Sequence, residues 1–500
     1  MPTNPPRARW RRLRFLALAL AFAMLGGIAA LAAVAVIVLN NKPDLKVWHT
    51  QILADEFKAG SGISDLEAYL ALEERLFAEL RDRIYNRIDE ADRTPVNRFN
   101  AGSMSDPANP RQWPRNWNRT FELEAGNPRF SVLLLHGLSD SPYSLRSLGT
   151  MLHEEGGHVL GLRIPGHGTA PSGLVETTYE DMAAAVRLAV RHLHDANPGL
   201  PIIIAGYSNG GALAVHYTLE SLANEALPQP SGLVLLSPEI GLSPIAAYAK
   251  WQARIGHWMG LDKLAWNSVE LEYDPFKYGS FAVNAGDQAY RLTAAIQAQI
   301  DDLQASGGFA SFPPTLAFQS VADATISAPA LVTNFFDRIP DGNHELVAFD
   351  VNRVFETASL LREPFDTAFL FDRNSRPGYA VSLVTNRNAE SREVVLKTLL
   401  PGETDTSQTD LALEWPEAVY SLSHIALPFS ADDPAYGNGQ SSNKRRFSLG
   451  SLVLRGENRT LALPNSAMTR LHWNPFFPFL EIRMRHFAND IASRPTGATD

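Results

Sequence analysis

No cysteine occurs among the 500 residues. A disulfide framework, a thiolate zinc site and a thiol nucleophile are therefore excluded. Basic residues are also in deficit: 44 Lys and Arg against 54 Asp and Glu leave a formal net charge of −10. Five of those cations (Arg7, Arg9, Arg11, Arg12, Arg14) crowd the N-terminus without an acid among them, so residues 15 to 500 carry about −15. A body of that sign argues against nucleic acid as a partner. Charge is missing altogether from Phe15 to Leu39. This apolar run is long enough to cross a hydrocarbon core of about 30 Å, and the arginines before it predict that the N-terminus stays cytoplasmic. Residues 1–14 then read as a basic cytoplasmic tail and 15–39 as a transmembrane anchor, with the rest on the periplasmic or extracellular side. A cleaved signal peptide is the competing reading, but its apolar region would span only about 7–15 residues.

What the sequence does contain begins with Ile202-Ile203-Ile204-Ala205-Gly206-Tyr207-Ser208-Asn209-Gly210-Gly211. A β-branched run that ends in Gly-x-Ser-x-Gly and passes at once into a helical pattern has the form of a nucleophile elbow. Ser208 is the candidate nucleophile. Glycines at 206 and 210 are expected where the sharp strand-to-helix turn leaves no room for a Cβ. Upstream, Phe130-Ser131-Val132-Leu133-Leu134-Leu135-His136-Gly137-Leu138 is a second buried-strand run ending in His-Gly. The N–H groups of Leu138 and Asn209 are the expected oxyanion donors, and His136, Gly137 and Tyr207 the residues bordering the substrate.

Between these landmarks the pattern alternates. Strand-like runs at 130–136, 157–164, 201–205, 231–237, 315–321 and 345–350 are separated by helical stretches near 142–155, 178–196 and 209–225, which predicts a largely parallel sheet covered on both faces. Ligands bind such sheets at the carboxyl ends of the strands, where His136-Gly137, Ser208 and Ser237-Pro238 fall. The glycine-rich turn Arg163-Ile164-Pro165-Gly166-His167-Gly168-Thr169 follows another of these strands. Ahead of the sheet, residues 43–118 form a helical extension. Its best helix follows Ser64, with Ser64 and Glu67 in the pattern of a capping box, and the stretch Pro95 to Asn118 is irregular.

Together these residues resemble the α/β-hydrolase superfamily, and within it the monoglyceride lipases, carboxylesterases and serine-aminopeptidase-like hydrolases. The resemblance rests on Leu135-His136-Gly137, Arg163 to Gly168 and Gly206 to Gly211. It implies an α/β-hydrolase domain over 119–492 with a mostly parallel sheet flanked by helices and a helical lid at about 239–312. An insertion at about 355–417, with strand-like runs at 378–385 and 392–398, and a disordered tail at 493–500 complete the organisation. The family's order of nucleophile, acid and histidine assigns Asp323 as the acid, with Asp350 as runner-up, and His424 as the base. His344 lies at the wrong end of its strand, and His472 and His486 fall in an aromatic-rich terminal helix. The implied reaction is hydrolysis of a carboxylic ester, a small-molecule or lipid ester, through an acyl-enzyme, with no metal or organic cofactor called for. An amidase or peptidase of the same fold, or a non-catalytic envelope protein that keeps the scaffold, is the alternative. The lid's aromatic residues, Trp251, Trp258, Trp266, Tyr273, Phe276, Tyr278 and Phe281, suit either a wall for an acyl group or the lid's own small core.

Overall fold

Along strand β2 (Phe130–Leu135), Leu133 and Leu135 enter one hydrophobic cluster while Val132 and Leu134 enter another. A two-residue period buried on both sides makes this the middle of a sheet, not its surface. The computed structural model describes residues 10–11, 14–27, 30, 42–240, 262–307, 309–354, 367–371, 378–439, 449–450 and 470–494. The other strands are β1 (Phe121–Leu123), β3 (Gly157–Leu162), β4 (Ile202–Tyr207), β5 (Gly232–Leu236), β6 (Trp266–Ser268), β7 (Phe281–Ala282), β8 (Thr315–Ser320), β9 (His344–Phe349), β10 (Ala380–Asn388), β11 (Ser391–Leu399) and β12 (Ser407–Glu414). The main sheet runs β1-β3-β2-β4-β5-β8-β9-β10-β11-β12, while β6 and β7 pair separately. From β3 to β10 it is parallel, and β1, β11 and β12 join antiparallel at its ends.

Parallel neighbours need crossovers, and helices supply them. The helices used below are α1 (Leu66–Arg83), α2 (Arg146–Glu154), α3 (Tyr179–Ala196), α4 (Asn209–Ala223), α5 (Val283–Ser306) and α6 (Phe477–Ser493). Apolar residues of α3, α4 and α5 share one core with Leu133, Leu135 and Leu233, whereas those of α2 and α6 share the other with Val132, Leu134 and Val234. The strands and helices expected from 130 to 350 are thus present and in the expected layers.

Four expectations are corrected. The cap of α1 is Asp65, whose side chain accepts the Ala68 N–H at 2.8 Å; a carboxylate one residue nearer the helix displaces the Ser64 hydroxyl. The stretch expected as a lid contains α5, whose Leu292, Ile296 and Ile300 are buried against the sheet's helical layer; residues 241–261, with Trp251 and Trp258, lie outside the described residues. The expected insertion at 355–417 adds β10, β11 and β12 to the main sheet, and of these β12 escaped prediction because its residues are mostly exposed and polar. His472 precedes α6 and is not part of it.

Residues 14–27 are helical. Among the described residues no helix is long and apolar enough to cross a membrane, and residues 28–29 and 31–39 of the apolar run lie outside them, as does most of the expected disordered tail.

The N-terminal extension is fastened to the sheet by a buried ion cluster. Arg163, at the exit of β3, donates to Glu56 and Glu73 at 3.0 Å each, and the Tyr69 hydroxyl donates to the Arg163 carbonyl at 2.6 Å. A fully buried guanidinium needs such a ring of acceptors. The cluster fixes the glycine-rich turn on which the next contacts depend.

Candidate active site

Ser208 stands between β4 and α4 with φ +54° and ψ −118°, a left-handed conformation that a non-glycine residue adopts only when its surroundings impose it. The surroundings are crowded backbone. A Cβ on Gly206 would lie 2.4 Å from the Gly210 carbonyl oxygen, and one on Gly210 would lie 2.0 Å from that of Leu135. The Ser208 N–H donates to Leu236 O, and its carbonyl accepts from the N–H groups of Gly211, Ala212 and Glu239. The expected elbow is therefore held from both sides. As the first residue of α4, Asn209 has an N–H with no acceptor one turn earlier in the helix, and the helix dipole favours negative charge at this end.

The loop after β2 is positioned by His136. Its Nε2 accepts the Ile164 N–H at 3.0 Å, so Nδ1 carries the proton and donates to the Gly137 carbonyl at 2.9 Å. Burial, with His167 and Arg163 nearby, holds this imidazole well below the ordinary histidine pKa and therefore neutral. Both nitrogens are used within the protein, so His136 orients the Leu138 loop and is not free to bind substrate. A Cβ on Gly137 would lie 3.0 Å from both the Asp140 carboxylate and the Tyr207 ring, so a larger residue would press on both side chains.

Asp323 follows β8, and His424 lies in a short helical turn 101 residues later. The structure brings them together: His424 Nδ1 lies 2.8 Å from Asp323 Oδ2. Burial pushes the Asp323 carboxyl up, but the hydrogen bond and charge of His424 and the N–H groups of Ile326 and Thr325 outweigh it, so the group lies below the ordinary range. Ser320 Oγ donates to Leu422 O at 2.8 Å, and Asn352 donates through its backbone to Tyr420 and through its side chain to Val419. These bonds return the chain from β12 to the carboxyl ends of β8 and β9. Tyr207, the residue before Ser208, packs its ring 5.3 Å from the His424 imidazole, and its hydroxyl donates to the His424 carbonyl at 3.4 Å. Tyr207 thus supports the histidine loop from beneath.

The rejected candidates have other partners. Asp350 is bound by Arg353 at 2.6 Å and by the Thr385 hydroxyl at 2.6 Å. His344 is buried at the start of β9, with Nε2 near the Pro340 carbonyl, and His472 Nδ1 lies 2.9 Å from Leu449 O.

Residues 126–351 match the protein family described as "Serine aminopeptidase, S33". Over that segment, less than half of the chain, it resembles the α/β-hydrolases of the monoglyceride lipase and esterase branch. The chain is similar to a thermostable monoacylglycerol lipase of Bacillus sp. (strain H-257), 24% identical over 249 residues, which are 49% of this chain and 86% of that one. Among solved structures it is similar to the monoacylglycerol lipase of Paleococcus ferrophilus (20% identity, TM-score 0.35, 46% of this chain and 89% of that chain). A soluble variant of the Saccharomyces cerevisiae monoglyceride lipase shows 15% identity and a TM-score of 0.37 over 46% and 82% of the two chains.

Two features of the hydrolase site were missed in the sequence. Glu239 follows β5 and is buried; burial, together with the nearby Asp323 charge, raises its carboxyl to about 7, and among the described residues its Oε2 has no hydrogen-bond partner. The acid at Ser237-Pro238-Glu239 was visible, but its burial was not. A cavity of about 410 Å³ also opens beside Tyr207 and Ile425, walled by Asp140, Tyr273, Lys277 and Tyr436 among others. Of the expected aromatic wall, Trp266 is packed against His49, and Phe276 stacks on Tyr143. Those rings serve small cores, while Tyr273 and Tyr278 reach the cavity.

Proposed function

We propose that the chain hydrolyses carboxylic esters with Ser208 as nucleophile, His424 as general base and Asp323 as the carboxylate that orients and stabilises the imidazolium. The Asp323–His424 hydrogen bond, made across a hundred residues of sequence and beside the elbow, carries this reading. His424 takes the Ser208 proton as Oγ attacks the ester carbonyl, then gives it to the leaving alcohol; water repeats the cycle on the acyl-enzyme. The N–H groups of Leu138 and Asn209 receive the oxyanion, each such donor contributing roughly 10²–10³ in rate.

A lipid ester with a hydroxylated alcohol portion is the proposed substrate class. The similar enzymes are named for monoacylglycerols, and the cavity beside Tyr207 offers charged and hydroxyl groups to a polar headgroup. Anchoring at a membrane by residues 15–39, with the hydrolase domain on the non-cytoplasmic side, is part of the same proposal. It is supported by the five preceding arginines and by the exposure of Phe15, Leu16, Leu18, Leu20, Phe22, Met24 and Leu25 along the helix.

The test is labelling of the full chain in membranes by a fluorophosphonate probe, followed by assays on glycerol esters and the matching amides. Wild type is expected to label, Ser208→Ala and His424→Ala not to, and esters to be cleaved faster than amides. Absence of labelling in wild type would move the chain to the binding-scaffold reading, and faster cleavage of amides would move it to the amidases.

A further inference from the structure

Away from the active site, three side chains from three elements converge at the β1 edge of the sheet. Glu122 is the middle residue of β1, His158 belongs to β3, and His192 belongs to α3. Glu122 pairs with Leu160, which puts His158, two residues along, on the same face, the one that α3 covers. The Nε2 atoms of both imidazoles lie 2.7 Å from the same carboxylate oxygen, Oε1 of Glu122. One possible ligand atom from each residue lies within 4.8 Å of the other two. His158 is buried, and its Nδ1 is 3.0 Å from the side-chain amide of Asn197, which fixes the ring plane. Glu122 and His192 are half-buried and open onto a cavity of about 440 Å³ whose wall also carries Asp65, Glu67 and Asp195, with Arg191 as its cation.

We propose that Glu122, His158 and His192 bind a divalent first-row transition ion, of which zinc is the natural probe. The site supplies two imidazole nitrogens and one carboxylate oxygen and leaves a fourth position to water. That donor set suits zinc among the divalent ions, whereas calcium and magnesium prefer oxygen ligands throughout. Zinc bonds to nitrogen and oxygen of about 2.0–2.1 Å in a tetrahedron separate the ligands by roughly 3.3 Å. The two 2.7 Å contacts must therefore widen by about half an ångström, within reach of small rotations of the half-buried Glu122 and His192 side chains. Both imidazoles then present Nε2 lone pairs with the proton on Nδ1. For His158 that proton meets Asn197, whose amide can turn to offer its oxygen, the outer contact by which ligating histidines are usually held. Three acids in the wall against Arg191 leave it net negative, which favours a dication over a neutral ligand. A bound ion would clip the three-residue edge strand β1 to β3 and α3, so its binding energy would add to the stability of the fold. The histidines do not share one helix turn or a short spacing, which is why the linear sequence shows no ligand motif.

The experiment is a titration of the chelator-treated full chain with Zn²⁺ against a chromophoric competitor, paired with thermal unfolding. Wild type is expected to bind one ion at this site and to gain melting temperature with Zn²⁺. His192→Gln is the decisive variant, because its amide can still donate to Glu122 but cannot replace the imidazole nitrogen. It is expected to lose roughly 100-fold or more in affinity and all of the zinc-dependent gain, and Glu122→Gln to do the same. Asn197→Ala is expected to weaken binding by roughly 10–100-fold. If wild type takes up no stoichiometric Zn²⁺, or if His192→Gln and Glu122→Gln bind it as tightly as wild type does, the three residues are a hydrogen-bonded ion cluster only and the proposal falls.

Discussion

Asp323 and Asp350 end neighbouring parallel strands, β8 and β9, in the same sheet, yet they meet different partners. Asp323 receives His424 at 2.8 Å, whereas Asp350 receives Arg353 and the Thr385 hydroxyl, each at 2.6 Å. A permanent cation turns one carboxylate into a brace between β9 and β10; a titratable imidazole makes the other fit for proton transfer. Glu239 adds a third case, a buried carboxyl with no cation against it among the described residues, raised to about 7. The role of a buried acid in this protein is set by what is folded opposite it.

The comparison breaks most sharply at Asp323. Asp323→Asn keeps the shape but removes the charge that, in the proposed mechanism, orients and stabilises the imidazolium, and is expected to lower kcat by roughly 10⁴ with KM little changed. Steady-state ester hydrolysis checks it; a loss below tenfold would make Asp323 structural.

Glu239→Gln sharpens the contrast through stability. Because its folded pKa is raised, the wild-type acid contributes stability that is fully present below the unfolded value of 4.5 and lost as pH rises through about 7. Denaturant unfolding from pH 4 to 8 should show wild type falling behind the glutamine variant across that window, by on the order of 3 kcal/mol at most. Equal stabilities at pH 8 would contradict it. Asp323 has the opposite sign: its contribution is present above the ordinary carboxylate pKa and lost as acidification passes its depressed value.

Asp350→Asn is the converse test. It removes the Asp350–Arg353 ion pair and is expected to destabilise by about 1–3 kcal/mol while kcat/KM stays within about threefold. An activity loss comparable to that of Asp323→Asn would exchange the two roles. The smallest effect is expected from Thr385→Val, which removes one hydrogen bond to Asp350 and should lower stability by about 1 kcal/mol in chemical unfolding, with no change in rate.

The elbow was legible because its constraints are local: Gly206 and Gly210 are required by atoms within a few residues or on the adjoining strand, and the strand-to-helix switch is written in the periodicity. The parallel strands from β2 to β9 were legible for the same reason. The cap of α1 slipped by one residue because Ser64 and Asp65 both have capping chemistry and only the backbone decides which oxygen meets the Ala68 N–H. His136 read as a substrate contact because His-Gly marks the loop, while its real partner, the Ile164 N–H, lies 28 residues away. The polar, exposed β12 gave no strand signal, and the joining of β10 to β12 to the main sheet depends on pairing with β9.

By itself, then, the sequence determined those features whose physics acts over a few residues: the alternation of strand and helix, the steric demand for glycine around Ser208, the absence of thiol chemistry and the charged, then apolar, N-terminus. Only the tertiary structure decided which acid faces which base. Hydrogen bonds from Ser320 and Asn352 carry the chain back after three added strands and set His424 against Asp323, and the same folding buries Glu239 near the Asp323 charge. Burial and partnership are properties of distant segments brought together, and no local pattern encodes them.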